Sequence, residues 1–242
     1  MATVQKIRCQ VERITDYGGH VYTVDLHPIE RLPRFRPGQF LHLALDPYDA
    51  STFWPESRVF SIASSPIQRD HLQIAYAVQG RFTARMEQEL AVGKRVWVKL
   101  PYGQFVIEDA RDIVLVAGGT GVTAFTAFIA GLTPGYGNDI HLFYGARNPK
   151  LLIYQELVRK RADTIPHFHP RYYVEQSPGS DDLISPDIQV GRLSIATVWE
   201  NVPAPSQKHF YLSGPPPMLK AFSHDLRERG ISPEAIRIDA WE

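Results

Sequence analysis

As far as Ile107, short runs of β-branched, aromatic and aliphatic residues dominate the chain. Val11 and Ile14, His20 to Val24, Phe40 to Leu45, the segment around Arg58, Leu72 to Val78, and Arg95 to Leu100 form a series of predicted strands. The last of these alternates as Val96, Val98, Leu100, the period of a half-buried strand. Turn signals at Gly18-Gly19, Pro37-Gly38, Pro47 and Pro66 punctuate the series. Between the final two strands, Thr83 to Leu90 carries Met86 and Leu90 at helical spacing. Six strands and one short helix predict a closed antiparallel barrel, because closure leaves no free strand edge.

The pattern changes near Ala110-Arg111-Asp112. Ile113 to Ala117 is a continuous apolar run, expected of a strand covered on both faces. A glycine turn and an apolar helix from Val122 to Leu132 follow, then a second buried strand from Ile140 to Tyr144. Helical segments over Leu151 to Arg161 and Met218 to Arg229 alternate with strands at Tyr172 to Val174 and Phe210 to Leu212. Such alternation predicts a parallel sheet with crossover helices. The expected division is a β-barrel over residues 1–109 and a nucleotide-binding α/β domain over 110–242, joined without a long linker.

Composition narrows the function classes. The 242 residues are 44% hydrophobic, enough for a substantial core. Lys plus Arg equal Asp plus Glu at 26 each, which argues against a general nucleic-acid binder but leaves room for a local basic patch. A single cysteine, Cys9, excludes an internal disulfide and an iron–sulfur cluster on this chain's own thiolates. A reducing, cytoplasmic setting is expected, with no leader peptide and no membrane span.

Four segments could carry chemistry. Arg58-Val59-Phe60-Ser61 offers a guanidinium for phosphate, a ring two residues on that points the same way, and a hydroxyl. An ordinary barrel strand with Arg58 in a surface ion pair accounts for the same residues. Gly80-Arg81-Phe82-Thr83 stands at the start of the predicted short helix, where exposed N–H groups suit a pyrophosphate; taken alone, a turn and a helix cap are the better explanation of these residues. Gly118-Gly119-Thr120-Gly121 follows a buried strand and opens a helix, the setting of a phosphate-binding turn. It is neither the Gly-x-Gly-x-x-Gly fingerprint nor a P-loop, and a tight strand-to-helix connection is the competing explanation. Gly214-Pro215-Pro216-Pro217-Met218 forms a stiff loop at the C-terminal end of a predicted parallel strand, where ligands bind in open α/β sheets.

Taken in order, these segments resemble the ferredoxin–NADP reductase superfamily over almost the whole chain. Further marks are Phe35-Arg36-Pro37-Gly38-Gln39-Phe40, Ile62 to Pro66, Pro101-Tyr102-Gly103-Gln104-Phe105 and Tyr144-Gly145-Ala146-Arg147. The resemblance implies a flavin-binding barrel followed by a pyridine-nucleotide domain, with FAD or FMN and NADH or NADPH as cofactors. By the same resemblance, Arg58 and Val59 meet the flavin, Phe60 and Tyr76 lie by it, and Ser61 bonds near its N5. Gly80, Arg81, Phe82 and Thr83 face the pyrophosphate. Gly118 to Gly121 and Thr123 receive the nucleotide, and Tyr144, Gly145 and Arg147 lie by its adenosine half. Gly214, Pro215, Pro216 and Met218 border the nicotinamide. Ser61, Ser213 and Trp241 are the implied catalytic set, although Trp241 could equally plug a hydrophobic seam. No metal is implied.

The chain departs from the family pattern at three positions. Phe60 replaces a common tyrosine, Ser213 a common cysteine, and Ala124 a common proline. The expected activity is hydride transfer from nicotinamide to flavin, with electrons passed to a separate ferredoxin or oxygenase-type protein. The alternatives are a reductase that releases reduced free flavin and a non-catalytic redox-sensing or electron-transfer subunit. NADH is favoured, because Val174 to Pro178 supplies no basic cluster for a 2′-phosphate, although Arg171 precedes it. His167-Phe168-His169 is expected in a solvated loop rather than on a metal, and Asp181-Asp182 as loop charge. Phe53-Trp54-Pro55 either covers the flavin's adenine or caps the barrel.

Overall fold

A computed structural model describes residues 3–108, 111–176 and 187–239. The chain divides into two compact units, Met1–Val106 with Thr126–Gly131, and Ile107–Phe125 with Leu132–Glu242.

In the first unit, β1 (Gln5–Asp16), β2 (Val21–Pro28), β3 (Phe40–Ala44), β4 (Ser57–Ser61), β5 (Leu72–Ala77) and β6 (Arg95–Tyr102) form one antiparallel sheet. The order is β4-β3-β6-β1-β2-β5, and the sheet curls until its edges approach. Just past β4, the Ala63 N–H donates to the Gln73 carbonyl of β5 at 2.8 Å. The predicted barrel is therefore nearly closed, with its two edges joined beyond the end of a strand rather than by a full ladder.

Strict alternation builds this shape. Ile7, Cys9 and Val11 of β1 point inward while Lys6, Arg8 and Gln10 face solvent. Val96, Val98 and Leu100 do the same on β6. Each fully buried side chain such as Leu41, Leu43 or Ile74 contributes roughly 1.5–3 kcal/mol of transfer free energy. Helix α1 (Arg81–Glu89) turns Phe82 and Met86, four residues apart, into the same core. It begins two residues before the Thr83 start expected from the spacing. The Thr83 hydroxyl reaches back to accept from the N–H groups of Gln79 and Gly80 at 2.9 and 3.1 Å, so Thr83 supports the helix entry from inside its first turn.

In the second unit, β7 (Ile113–Gly118), β8 (Ile140–Ala146), β9 (Phe168–Val174), β10 (Ile188–Val190), β11 (His209–Ser213) and β12 (Ile236–Ile238) make a parallel sheet in the order β10-β9-β8-β7-β11-β12. Helices α3 (Gln155–Thr164), α4 (Ile195–Asn201) and α5 (Pro216–Glu228) alternate with the strands, and α2 (Thr123–Gly131) follows β7, with its residues from Thr126 onward grouped with the first unit. All six residues of β7 are buried, as its unbroken apolar run predicts. Val114, Val116, Phe143, Phe210 and Leu212 pack with Ile195 and Val198 of α4 and with Leu219, Phe222 and Leu226 of α5. Strand order reverses at β7, which has β8 on one side and β11 on the other. That reversal is the topological switch point where open α/β sheets bind ligands.

Among the described residues, no helix is long and apolar enough to cross a membrane. The histidine run expected in a loop belongs largely to β9, which starts at Phe168 and includes His169. The Ile140 N–H donates to the His167 carbonyl at 2.8 Å, and this bond begins the β8–β9 ladder.

Candidate functional site

On the first unit, polar groups gather where β4 meets the start of α1. Direct pairing with Leu43 and Leu41 puts Arg58 and Phe60 on the core side of β4. Phe60 stays there, 8% exposed and edge-on to Tyr76 at 6.4 Å. Phe60 thus packs with the barrel core at the end of β4. Tyr76 is buried too, stacked on Tyr22 at 5.2 Å. Arg58 escapes at the barrel end, its guanidinium 5.4 Å over the buried Phe82 ring. This cation–π contact fixes the side chain while leaving it 53% exposed. Phe82 itself can therefore offer a ligand its backbone N–H but not its ring. Val59, directly opposite His42, lies on the other face of the strand, and Ser61 closes the strand opposite Phe40, 7% exposed.

Arg58 does not stand alone. Glu56 Oε1 lies 3.0 Å from Arg81 Nη2 and 3.6 Å from Arg58 Nη2, while its Oε2 lies 3.7 Å from Arg85 Nη1. Arg85 is committed to Asp46 at 3.0 Å and Glu89 at 2.9 Å, and these partners hold its guanidinium firmly charged. Arg58 and Arg81 thus form an exposed cationic pair at a helix start, with one carboxylate between them. Gly80 is extended and the space beside its Cα is open, so nothing in the protein crowds that position. Two guanidinium forks beside first-turn N–H groups suit a phosphate or pyrophosphate. Trp54 donates from Nε1 to Ser57 Oγ at 3.0 Å and packs beside Tyr48 and Lys99, so it caps the outside of the barrel. Phe53 next to it is 97% exposed.

On the second unit, two loops meet at the C-terminal edge of the sheet. After β7 the chain makes a 3-10 turn over Gly119–Val122 before α2. Gly119 adopts φ 54° with free space around it. A Cβ on Gly121 would lie 2.4 Å from the Ser213 carbonyl oxygen, so the glycine loop and the Ser213–Pro217 loop touch backbone to backbone. Thr123 Oγ1 donates to the Thr120 carbonyl at 2.6 Å and ties off the turn. Met218 sets its sulfur beside Gly118, and Pro215 and Pro216 stiffen the entry to α5. Arg147 is exposed just past β8. Tyr144 is fully buried and donates to the Leu151 carbonyl at 3.1 Å, so it supports the edge from below instead of presenting a group to a ligand.

Ser213 is also buried, 1% exposed, and its hydroxyl donates to Asp239 Oδ2 at 2.9 Å. Burial pushes the Asp239 carboxyl up to about 7, partly offset by that hydrogen bond. Asp239 and Ile238 line a pocket of about 260 Å³ with Gly214, Pro216, Leu219 and Lys220. Sequence reasoning missed Asp239. The signal available was an acidic residue directly after the alternating Ile236 and Ile238 of a short strand. Trp241, and the Asp181-Asp182 and Ser177-Pro178 segments, lie outside the described residues.

At the opposite edge of the sheet, Asp139 Oδ1 accepts from His167 Nδ1 at 3.0 Å and lies 3.7 Å from His169 Nε2. His141, in register with His169 and 5.0 Å from it ring to ring, is buried with both ring nitrogens unpartnered. Among the described residues, no three His, Cys, Asp or Glu groups are arranged to hold a metal.

Residues 115–224 match the oxidoreductase NAD-binding domain family. The chain is 32% identical over 227 residues to the reductase component of phenol 2-monooxygenase from Pseudomonas sp. (strain CF600), covering 86% of this chain and 60% of that protein. It is 26% identical over 218 residues to a flavohemoprotein of Rhodopirellula baltica, covering 86% of this chain and 53% of that one. The reductase component of propane 2-monooxygenase from Rhodococcus jostii is 25% identical over 244 residues, covering 98% of this chain and 64% of its own length. The chain thus spans less than two thirds of each of these relatives. Among solved structures, a cytochrome P450 reductase from Amycolatopsis superposes with a TM-score of 0.82 at 23% identity, over 99% of this chain and 70% of that one. The glycine loop and the Ser213–Pro217 loop lie within the residues that match the oxidoreductase NAD-binding domain family, and over nearly its whole length the chain is similar in sequence to oxygenase reductase components and in fold to a cytochrome P450 reductase.

Proposed function

We propose that the chain is a flavin-dependent NAD(P)H oxidoreductase that passes electrons to a separate oxygenase- or ferredoxin-type acceptor. The observation that carries this reading is the exposed Arg58–Arg81 pair at the start of α1, on a chain that also holds an oxidoreductase NAD-binding domain. The donor chemistry fits a flavin phosphate: two forked cations, helix N–H groups and an uncrowded Gly80. A bound flavin would supply a two-electron acceptor for nicotinamide hydride.

The protein's own work is to bind, orient and hold charge. Arg58 and Arg81 hold phosphate, and the cation–π contact with Phe82 keeps Arg58 from collapsing onto solvent. Ser61, at the end of β4, is the hydroxyl available for the reacting edge of the ring. The Gly118–Gly121 turn, with Gly119 in open space, offers backbone N–H groups to the nucleotide phosphates. Ser213 and Asp239 hold a proton between them that the neutral pH range can remove.

NADH is the preferred donor. Glu175 stands directly after β9, and its Oε1 lies 3.6 Å from Arg192 Nε. The carboxylate neutralises the nearby cation and repels a 2′-phosphate. A second reading, release of reduced flavin into solution, draws support from Glu56 between the two phosphate-facing arginines and from Phe60 in the core.

The test is an anaerobic spectrum of the purified chain with added flavin, before and after NADH. Loss of the oxidised flavin band near ~450 nm supports the reading; an unchanged spectrum at saturating NADH defeats it. Gel filtration then separates the two versions, because retained yellow colour favours a prosthetic flavin and its loss favours an exchangeable one.

A further inference from the structure

Glu56 stands between the two cations that the flavin reading assigns to phosphate. It lies in the loop before β4, and its Oε1 faces two guanidinium nitrogens at once, Arg81 Nη2 at 3.0 Å and Arg58 Nη2 at 3.6 Å. Arg58 Nη1 is already committed to the Ser57 carbonyl at 2.9 Å, so Nη2 is the part of its fork that faces Glu56. The carboxylate therefore holds the two nitrogens best placed to meet an incoming anion. Its own side chain is 31% exposed and also leans on Arg85, 3.7 Å away. Arg85 is saturated by Asp46 and Glu89 and has little need of Glu56.

We propose that Glu56 is an internal competitor for the flavin phosphate site, a mobile anion that the phosphate must displace and that keeps the bound flavin exchangeable. The inference rests on the flavin reading above. Two anions cannot share one pair of cations at these distances without repulsion, so phosphate entry requires the carboxylate to swing out to solvent. At 31% exposure it has a short path there. Each exposed pair at this separation is weak, which makes displacement feasible and makes the competition a matter of about tenfold rather than many decades. The competition acts on the phosphate and not on the ring.

The experiment is a fluorescence titration of FAD, FMN and riboflavin into the untagged chain, its Glu56→Gln variant and its Glu56→Ala variant. Glu56→Ala guards against the glutamine amide taking the carboxylate's place. Both variants are expected to lower the Kd for FAD and FMN about tenfold while moving riboflavin less than about twofold. Their FAD affinity should also fall more steeply with salt, since two free cations replace a neutralised pair. Thermal melts confirm that both variants are folded. An unchanged or raised Kd for FAD in both folded variants overturns the proposal, because Glu56 would then be ordering the arginines instead of blocking them. An equal gain for riboflavin overturns it as well. If none of the three flavins binds wild type or variants, the flavin reading itself fails, an outcome distinct from flavin binding that ignores Glu56.

Discussion

Two buried groups in the nucleotide unit should tilt its pH–stability profile in opposite directions, and removing either should expose the other. Asp239, 4% exposed, has its carboxyl raised by burial to about 7 from 3.8. His141, 6% exposed, is lowered by burial and by neighbouring His169 to about 4 from 6.5. Between roughly pH 4 and 6.5 the folded chain keeps a proton on Asp239 that the unfolded chain has lost. Over the same interval it lacks the proton that the unfolded chain carries on His141. Stability changes with pH by up to ~1.4 kcal/mol per unit for each proton bound differently in the two states. The Asp239 contribution falls as pH rises from about 4 to 7, and the His141 contribution falls as pH drops from about 6.5 to 4, so the two nearly cancel. Asp239→Asn keeps an oxygen for Ser213 and removes the titration. Relative to wild type, its stability should rise by about 1.4 kcal/mol per pH unit from pH 4.5 to 7, and by about 3 kcal/mol across the window. His141→Leu should show the reverse slope below pH 6.5, losing relative stability as pH rises. Urea unfolding between pH 4.5 and 7.5 measures both. Profiles of the variants that run parallel to wild type would refute the assignment of buried, oppositely shifted groups.

Three further outcomes follow from named contacts. Gly121→Ala forces a methyl to within 2.4 Å of the Ser213 carbonyl oxygen, so a loss of about 3 kcal/mol is expected in chemical denaturation. Thr83→Val removes the hydroxyl bonded to the Gln79 and Gly80 N–H groups and should cost about 1 kcal/mol by the same assay, with a weaker FAD titration because the α1 entry loosens. Glu175→Ala frees Arg192 and should raise kcat/KM for NADPH relative to NADH by about tenfold, read from initial rates with ferricyanide; an unchanged ratio would move the specificity elsewhere.

What the sequence made legible tracks how many side chains each element commits to a core. The barrel strands announce themselves because one face is apolar and the other polar over several residues, as on β1 and β6. β7 and β8 are equally clear, since both faces are covered and the run is unbroken. β10, α4 and β12 escape a sequence reading because they are short. β10 is an edge strand of three residues, and none of them is buried. α4 did leave a trace: Ser194 accepts from the Thr197 N–H at 3.1 Å as an N-cap, and Ile195 and Val198 follow at helical spacing. Charged groups whose role depends on distant partners left almost none. Glu56 meets Arg81 across 25 positions, and Ser213 meets Asp239 across 26. His167 and His169 lacked an acidic neighbour in sequence, yet the β8–β9 register delivers Asp139 to both.

The glycine loop teaches a related lesson about motif reading. Its three glycines look like one device for approaching a phosphate, but they answer to different constraints. Gly121 is required by the protein itself, because the Ser213 carbonyl fills the space where its Cβ would be. Gly118 is hemmed in by the Met218 sulfur and Pro215. Gly119 alone of the three combines a positive φ with empty surroundings. An alanine there strains the backbone by about 1 kcal/mol without any clash inside the fold. Loss of nucleotide binding on substituting Gly121 would therefore report a broken loop pair, whereas the same loss at Gly119 in a chain that still melts within a few degrees of wild type would report the ligand. Gly119 is thus the position in the loop where backbone strain and ligand approach can be separated experimentally, because no neighbouring atom fills the space of its Cβ.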